Sequence, residues 1–252
     1  MDENGDVFAW GDNRFGSCGV SSSTLVYTPV LCFRHCSMIT AGVDFSVFVS
    51  NSHEVFACGR SKEGQCGAFD GDALFAPRQV PGLPKPLHIK RCCCGDKFTL
   101  ILTVGGEVFT WGCGQFGELG IRDPLGTSNH YVVAYLPTQL YLNTCLEKGE
   151  TVEDAACGPN LCLLRTSTNH VIAWGRNARN CMNLTDAVDC VSRPLRLKHP
   201  AIHDINQIAA GTDMIVLLRG EAKLSENPEF QVSPKENGGK EEDSLWSRLF
   251  SP

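Results

Sequence analysis

The chain has 252 residues, 42% hydrophobic and 20% charged, enough for a sizeable core and too apolar for a wholly disordered protein. Its formal net charge of −6 comes without the basic stripe that drives nucleic-acid binding, so no direct nucleic-acid partner is expected. No apolar run is long enough for a transmembrane helix, and the acidic start Met1-Asp2-Glu3-Asn4-Gly5-Asp6 is the reverse of a signal or transit peptide. A cytoplasmic location is expected, with the nucleus as the alternative, and no membrane partner.

Taken in chain order, the sequence repeats itself. Val7-Phe8-Ala9-Trp10-Gly11 is followed by Val55-Phe56-Ala57-Cys58-Gly59, Val108-Phe109-Thr110-Trp111-Gly112 and Val171-Ile172-Ala173-Trp174-Gly175. An anchor glycine precedes the last three by 17 residues each time: Gly42, Gly95 and Gly158. A further anchor, Gly211, follows, and successive anchors are 53, 63 and 53 residues apart. Identical offsets of this kind mark a structural repeat.

Each unit reads as four short strands rich in Val, Phe and Thr and bounded by Gly, Pro and Asp. In the second unit they are expected at residues 77–80, 87–90, 98–102 and 107–111, with Gly105-Gly106 as a tight hairpin of positive φ. A four-stranded unit of about fifty residues is the signature of a propeller blade, whose faces are buried only by its neighbours. Trp10, Trp111, Trp174, and Cys58 in the same slot, are therefore expected in the blade-to-blade core. The 14 cysteines show no paired metal spacing and no oxidising context, so they read as small buried apolar residues. No metal or cofactor is expected.

The order Cys94-Gly95-Asp96-Lys97-Phe98-Thr99, then Val108-Phe109-Thr110-Trp111-Gly112, then Gly117-Glu118-Leu119-Gly120 resembles the repeat of the regulator of chromosome condensation (RCC1) family. Gly16-Ser17-Cys18-Gly19 and Gly64-Gln65-Cys66-Gly67 show the same closing turn, whereas Asn180-Cys181-Met182-Asn183 lacks both glycines and is expected to be remodelled. The resemblance implies an all-β, RCC1-like β-propeller over residues 1–220, with three whole blades and two complementary half blades. The chain opens with an outer-half strand and reaches an inner-half strand at residues 214–218. The halves either share one blade in a closed four-blade ring or belong to a longer, incomplete propeller, the second being favoured. The histidine that the family often places three residues after the anchor is replaced by Phe45, Phe98, Leu161 and Met214.

The resemblance further implies a protein-interaction module, in its most specific form an exchange factor or regulator of a small GTPase acting without covalent chemistry. The alternative is a scaffold or substrate-recognition module, as in ubiquitin ligases or kinase-linked proteins. By motif position Asp44, Asp96 and Asp213, with Asn160 as the polar equivalent, fall on the turn that such factors turn towards their partner. About ten extra residues in the third unit carry Tyr131 and Tyr135, with Tyr141 beyond them, aromatic anchors for a wedge against a partner or a tolerated insertion. Gly112-Cys113-Gly114-Gln115-Phe116-Gly117 fits a dinucleotide fingerprint, but the repeat explains every glycine and no helix is expected behind it. No enzyme is expected. Residues 221–252 read as a disordered acidic tail with an apolar end, where Trp246 and Leu249 resemble a short W-x-x-L motif that docks ubiquitin-like modifiers.

Overall fold

The computed structural model describes residues 1, 3–21, 24–68, 71–121, 131–186, 188–199 and 202–220. The expected tail, Trp246 and Leu249 lie outside the described residues, as do residues 122–130 of the insertion. In the described part sixteen strands form five antiparallel sheets. Sheet 1 holds β1 (Val7–Asp12) and β2 (Leu25–Phe33). Sheet 2 holds β3 (Cys36–Ala41), β4 (Phe45–Ser50), β5 (Val55–Arg60) and β6 (Ala73–Gln79). Sheet 3 holds β7 (Ile89–Cys94), β8 (Phe98–Thr103), β9 (Val108–Gly114) and β10 (Val132–Leu140). Sheet 4 holds β11 (Val152–Gly158), β12 (Leu161–Thr166), β13 (Val171–Arg176) and β14 (Cys190–Arg196). Sheet 5 holds β15 (Ile205–Ala210) and β16 (Ile215–Arg219).

The first strands β3, β7, β11 and β15 neighbour one another, so the sheets stand side by side as blades with these strands innermost. The middle strands β8 and β9 are buried along their whole length, because both faces of a blade are covered. This is the expected all-β propeller arrangement, three whole blades and two halves. The halves remain separate two-stranded sheets rather than one shared blade. The strand expected at residues 77–80 belongs to the preceding blade: β6 pairs with β5, Phe56 facing Gln79, and the fourth strand of sheet 3 is β10. The hairpin at Gly105-Gly106 also differs, since Gly106 alone of the two takes positive φ (83°) and its N–H closes onto Thr103 O.

Neighbouring blades are locked by one repeated contact. Trp111 Nε1 donates to Gln65 O (3.0 Å) and Trp174 Nε1 to Glu118 O (2.6 Å). Each acceptor is the second residue of the closing turn in the blade before. Cys58 Sγ takes the same place against Ser17 O (3.5 Å). A second donor joins from the strand beside it: Ser46, Thr99 or Cys162 onto Ser17, Gln65 or Glu118 respectively. Trp111 and Trp174 are 0% exposed; Trp10 is 61% exposed, against the expectation that it is core. The slot in β1 is the same, but no described residues supply a preceding turn for its indole.

The turn Asn180-Cys181-Met182-Asn183 also departs from expectation, because it is not remodelled. Asn183 N donates to Asn180 O as Gly67 N does to Gly64 O, and Asn180 (φ 54°) and Asn183 (φ 51°) adopt the left-handed conformation of the glycines. Asparagine is one of the few residues that tolerates it. All 14 cysteines are free; seven are buried and seven half-buried. Burial pushes the Cys66 thiol up to about 12, which keeps it a protonated packing group.

Candidate functional site: the anchor-turn rim

The turns that join the first and second strands of each blade carry the predicted acids. Here the anchor glycine is demanded by close approach. A Cβ on Gly42 would lie 2.1 Å from the Phe45 ring, and one on Gly95 would lie 2.0 Å from that of Phe98. The rings that replace the family histidine thus fold back over their own turn, and Phe45, Phe98 and Leu161 are buried while Met214 is exposed. The turns form a row. Val43 N donates to Asp96 O (3.0 Å), and Asp96 N donates to Pro159 O (2.9 Å). Gly158 continues it, its missing Cβ leaving room for Gly211 O at 2.2 Å.

Asp44, Asp96, Asn160 and Asp213 are therefore brought to one rim, each half-buried. Sequence reasoning missed their cationic neighbours. Arg60 sits 3.6 Å from Asp44 and Arg176 sits 3.8 Å from Asp213, while Lys97 pairs with Glu63 at 3.0 Å. The cause is register. Arg60 N donates to Asp44 O and Arg176 N to Asn160 O, so the residue after each strand-closing glycine returns to the anchor turn. The signal was present as Gly59-Arg60 and Gly175-Arg176. Arg60 also lies over Phe15 and Arg176 over Phe116, at 4.7 and 5.1 Å from the ring centroids. The rim thus carries an arginine beside two of its acids, Asp44 and Asp213.

Glu118 lies beneath this rim and was not singled out from the sequence. Burial pushes its carboxyl up to about 7 and the charge of Asp96 adds to the rise, against the pull of its own and Phe116's N–H groups and of Arg176. Tyr131 and Tyr135 are both exposed. Tyr131 immediately precedes β10, whose Val132 faces Gly114, and Gly112 faces Phe98; the tyrosine therefore stands at the anchor-turn end of sheet 3. Tyr135 lies further along β10, beside Gly64 of the preceding closing turn. A cavity of about 510 Å³ bordered by His53, Glu54, Lys85 and His88 opens at the other end of the strands, where β4 turns into β5. Among the described residues no cluster of His, Cys, Asp and Glu fits a metal ion, and no helix is long and apolar enough to cross a membrane.

Blades of four antiparallel strands, locked by indole-to-turn hydrogen bonds and presenting a row of anchor turns, define a repeat propeller. The pattern of the regulator of chromosome condensation (RCC1) repeat matches residues 4–49, 52–102 and 105–164, and a second RCC1 repeat pattern matches 89–118. The chain belongs to the RCC1 repeat family. It is 27% identical over 191 residues to the Arabidopsis thaliana ultraviolet-B receptor UVR8, covering 74% of this chain and 41% of that protein. It is 30% identical over 177 residues to the Mus musculus secretion-regulating guanine nucleotide exchange factor, covering 67% and 35%. Among solved structures, human WBSCR16 superposes with a TM-score of 0.73 at 21% identity, covering 88% of this chain and 55% of that one. Prp20p of Saccharomyces cerevisiae gives 0.71 at 24%, covering 86% and 52%. The chain spans well under two thirds of the length of these proteins.

Proposed function

We propose that the chain is a protein-interaction propeller whose anchor-turn rim docks a small GTPase and regulates its nucleotide exchange. The observation that carries this reading is the unbroken row of turns presenting Asp44, Asp96, Asn160 and Asp213, with Tyr131 at the same end of sheet 3. A rim of fixed charges steers a protein of complementary pattern and orients it on docking. The exchange-factor relative supports the choice of partner class. Such a factor needs no covalent chemistry: it binds best to the nucleotide-free partner, so factor and nucleotide weaken each other to the same extent.

The arginines that already pair with Asp44 and Asp213 favour a second reading, a scaffold that holds a partner without acting on it. A relative described as a probable E3 ubiquitin-protein ligase, HERC4 of Homo sapiens, fits that reading. A pulldown from cell extract in EDTA, followed by elution with GDP and Mg²⁺, separates the two. Release of a small GTPase by nucleotide, lost in the triple variant Asp44→Asn, Asp96→Asn, Asp213→Asn, is the expected result. Partners that stay on the resin through the nucleotide wash would replace the exchange reading with the scaffold.

A further inference from the structure

We propose that the cavity where the β4–β5 turn meets the β6–β7 connection, at the end of the strands opposite the rim, binds a small aromatic carboxylic acid. It measures about 510 Å³, within the range of about 300–1,000 Å³ that small-molecule sites occupy. The repeat shows why there is room here. His53, Gly106 and Asn169 hold the same place in successive hairpins: each has positive φ and donates its N–H to the residue three before it, Ser50, Thr103 or Thr166. At Gly106 a Cβ would already lie 3.3 Å from the nitrogen of Val152, the first residue of β11. At His53 a whole imidazole fits, and its Nδ1 accepts the N–H of Ile89, the first residue of β7, at 3.2 Å.

The lining joins apolar walls to basic groups. Val55 and Val80 are buried, and Leu83 and Leu87 pack half-buried against the same core. Pro81, Pro84 and Pro86 fix their own φ, so this wall is stiff before a ligand arrives. His53 and His88 meet edge to face with ring centroids 5.1 Å apart, and His88 and Lys85 are exposed. Against these three basic side chains Glu54 is the single acid of the lining, a bias opposite to the chain's net charge of −6. Glu54 Oε1 already accepts from Gln79 Nε2 (2.9 Å) and Lys85 Nζ (3.0 Å). That bond uses one hydrogen of the Lys85 ammonium, and among the described residues the other two have no acceptor. Because His53 Nδ1 accepts, its neutral ring carries the proton on Nε2, a further donor. These donors suit a carboxylate, whereas an amine would meet like charge. The prolines, valines and imidazoles suit a flat apolar body, which a bare anion lacks.

The test is a titration of 2-naphthoate with the whole chain, followed by the fluorescence of the naphthalene ring. Saturable binding with a Kd below about 1 mM is expected. The neutral isostere 2-naphthylmethanol is expected to bind about tenfold more weakly, and Lys85→Met to weaken naphthoate by about tenfold or more. Glu54→Gln releases the Lys85 ammonium from its ion pair and is expected to tighten binding, a gain that no misfolded variant would show. The Lys85 and Glu54 side chains are 72% and 38% exposed, so both variants are expected to keep the wild-type circular dichroism. Location is read by NMR: the ring protons of His88, assigned by their loss in His88→Gln, are expected to shift as naphthoate is added. Absence of saturable binding, equal affinity for the alcohol, or an affinity unchanged in either variant overturns the proposal. Binding that leaves the His88 ring protons in place overturns it as well.

Discussion

Gln65 and Glu118 occupy the same place in successive closing turns and differ by one charge. Gln65 Oε1 accepts the Glu63 N–H (2.9 Å) and Glu118 Oε2 accepts that of Phe116 (2.7 Å), and both side chains are buried. The Glu118 carboxyl is pushed up by burial from 4.5 to about 7, so the folded chain holds its proton more tightly than the unfolded one. Stability contributed by the protonated form is complete below pH 4.5, falls as pH rises, and above pH 7 the ionised group costs on the order of 3 kcal/mol. Glu118→Gln keeps the acceptor and removes the charge. It also introduces an amide nitrogen like Gln65 Nε2, which has no partner among the described residues, and that takes back part of the gain. The slope is therefore the measurement: melting temperature against pH from below 4.5 to above 7 is expected to be flatter in the variant, and equal slopes would place the charge elsewhere. Asn183 offers a second test at this scale. With φ at 51°, Asn183→Gly is expected to leave urea stability unchanged or higher, and Asn183→Ala to lower it by about 1 kcal/mol.

Between elements, stability rests on the donor pair that each blade sends into the turn before it. Trp174→Phe keeps most of the buried ring but removes the indole N–H from Glu118 O, whose remaining side-chain donor is the Cys162 thiol at 3.4 Å. A loss of about 1–3 kcal/mol in chemical denaturation is expected, with Trp111→Phe similar; no loss in either would reduce the lock to ring packing alone. This lock also marks what could be read beforehand. The anchor turns and the slot of Trp111, Trp174 and Cys58 were legible because the repeat offset is constant, whereas the strand expected at 87–90 runs from Ile89 to Cys94. Trp10 was misread because a repeat position says what a residue is shaped for, whereas its burial depends on a neighbouring blade. Residues 77–80 were placed one blade too late for a related reason: strand pairing, not proximity in sequence, assigns β6 to β5. The acids of the rim were found by motif, but their arginines were not, since Asp44 and Arg60 meet only once the hairpin register of β4 and β5 is known.

At the scale of the molecule, stability is expected to be graded along the described blades. In a repeat array each unit is held by its own sheet and by the neighbours on either side. Sheets 2, 3 and 4 have two neighbours; sheets 1 and 5 have one among the described residues and half the strands. The burial follows this grading, from β8 and β9, buried throughout, to β16, in which no residue is fully buried. Local opening costs least where few apolar contacts are lost, so amide exchange reports the grading directly. In dilute solution β8, β9, β12 and β13 are expected to exchange last, and β1 and β16 first. Uniform protection from β1 to β16 would mean that the arc opens as one cooperative unit.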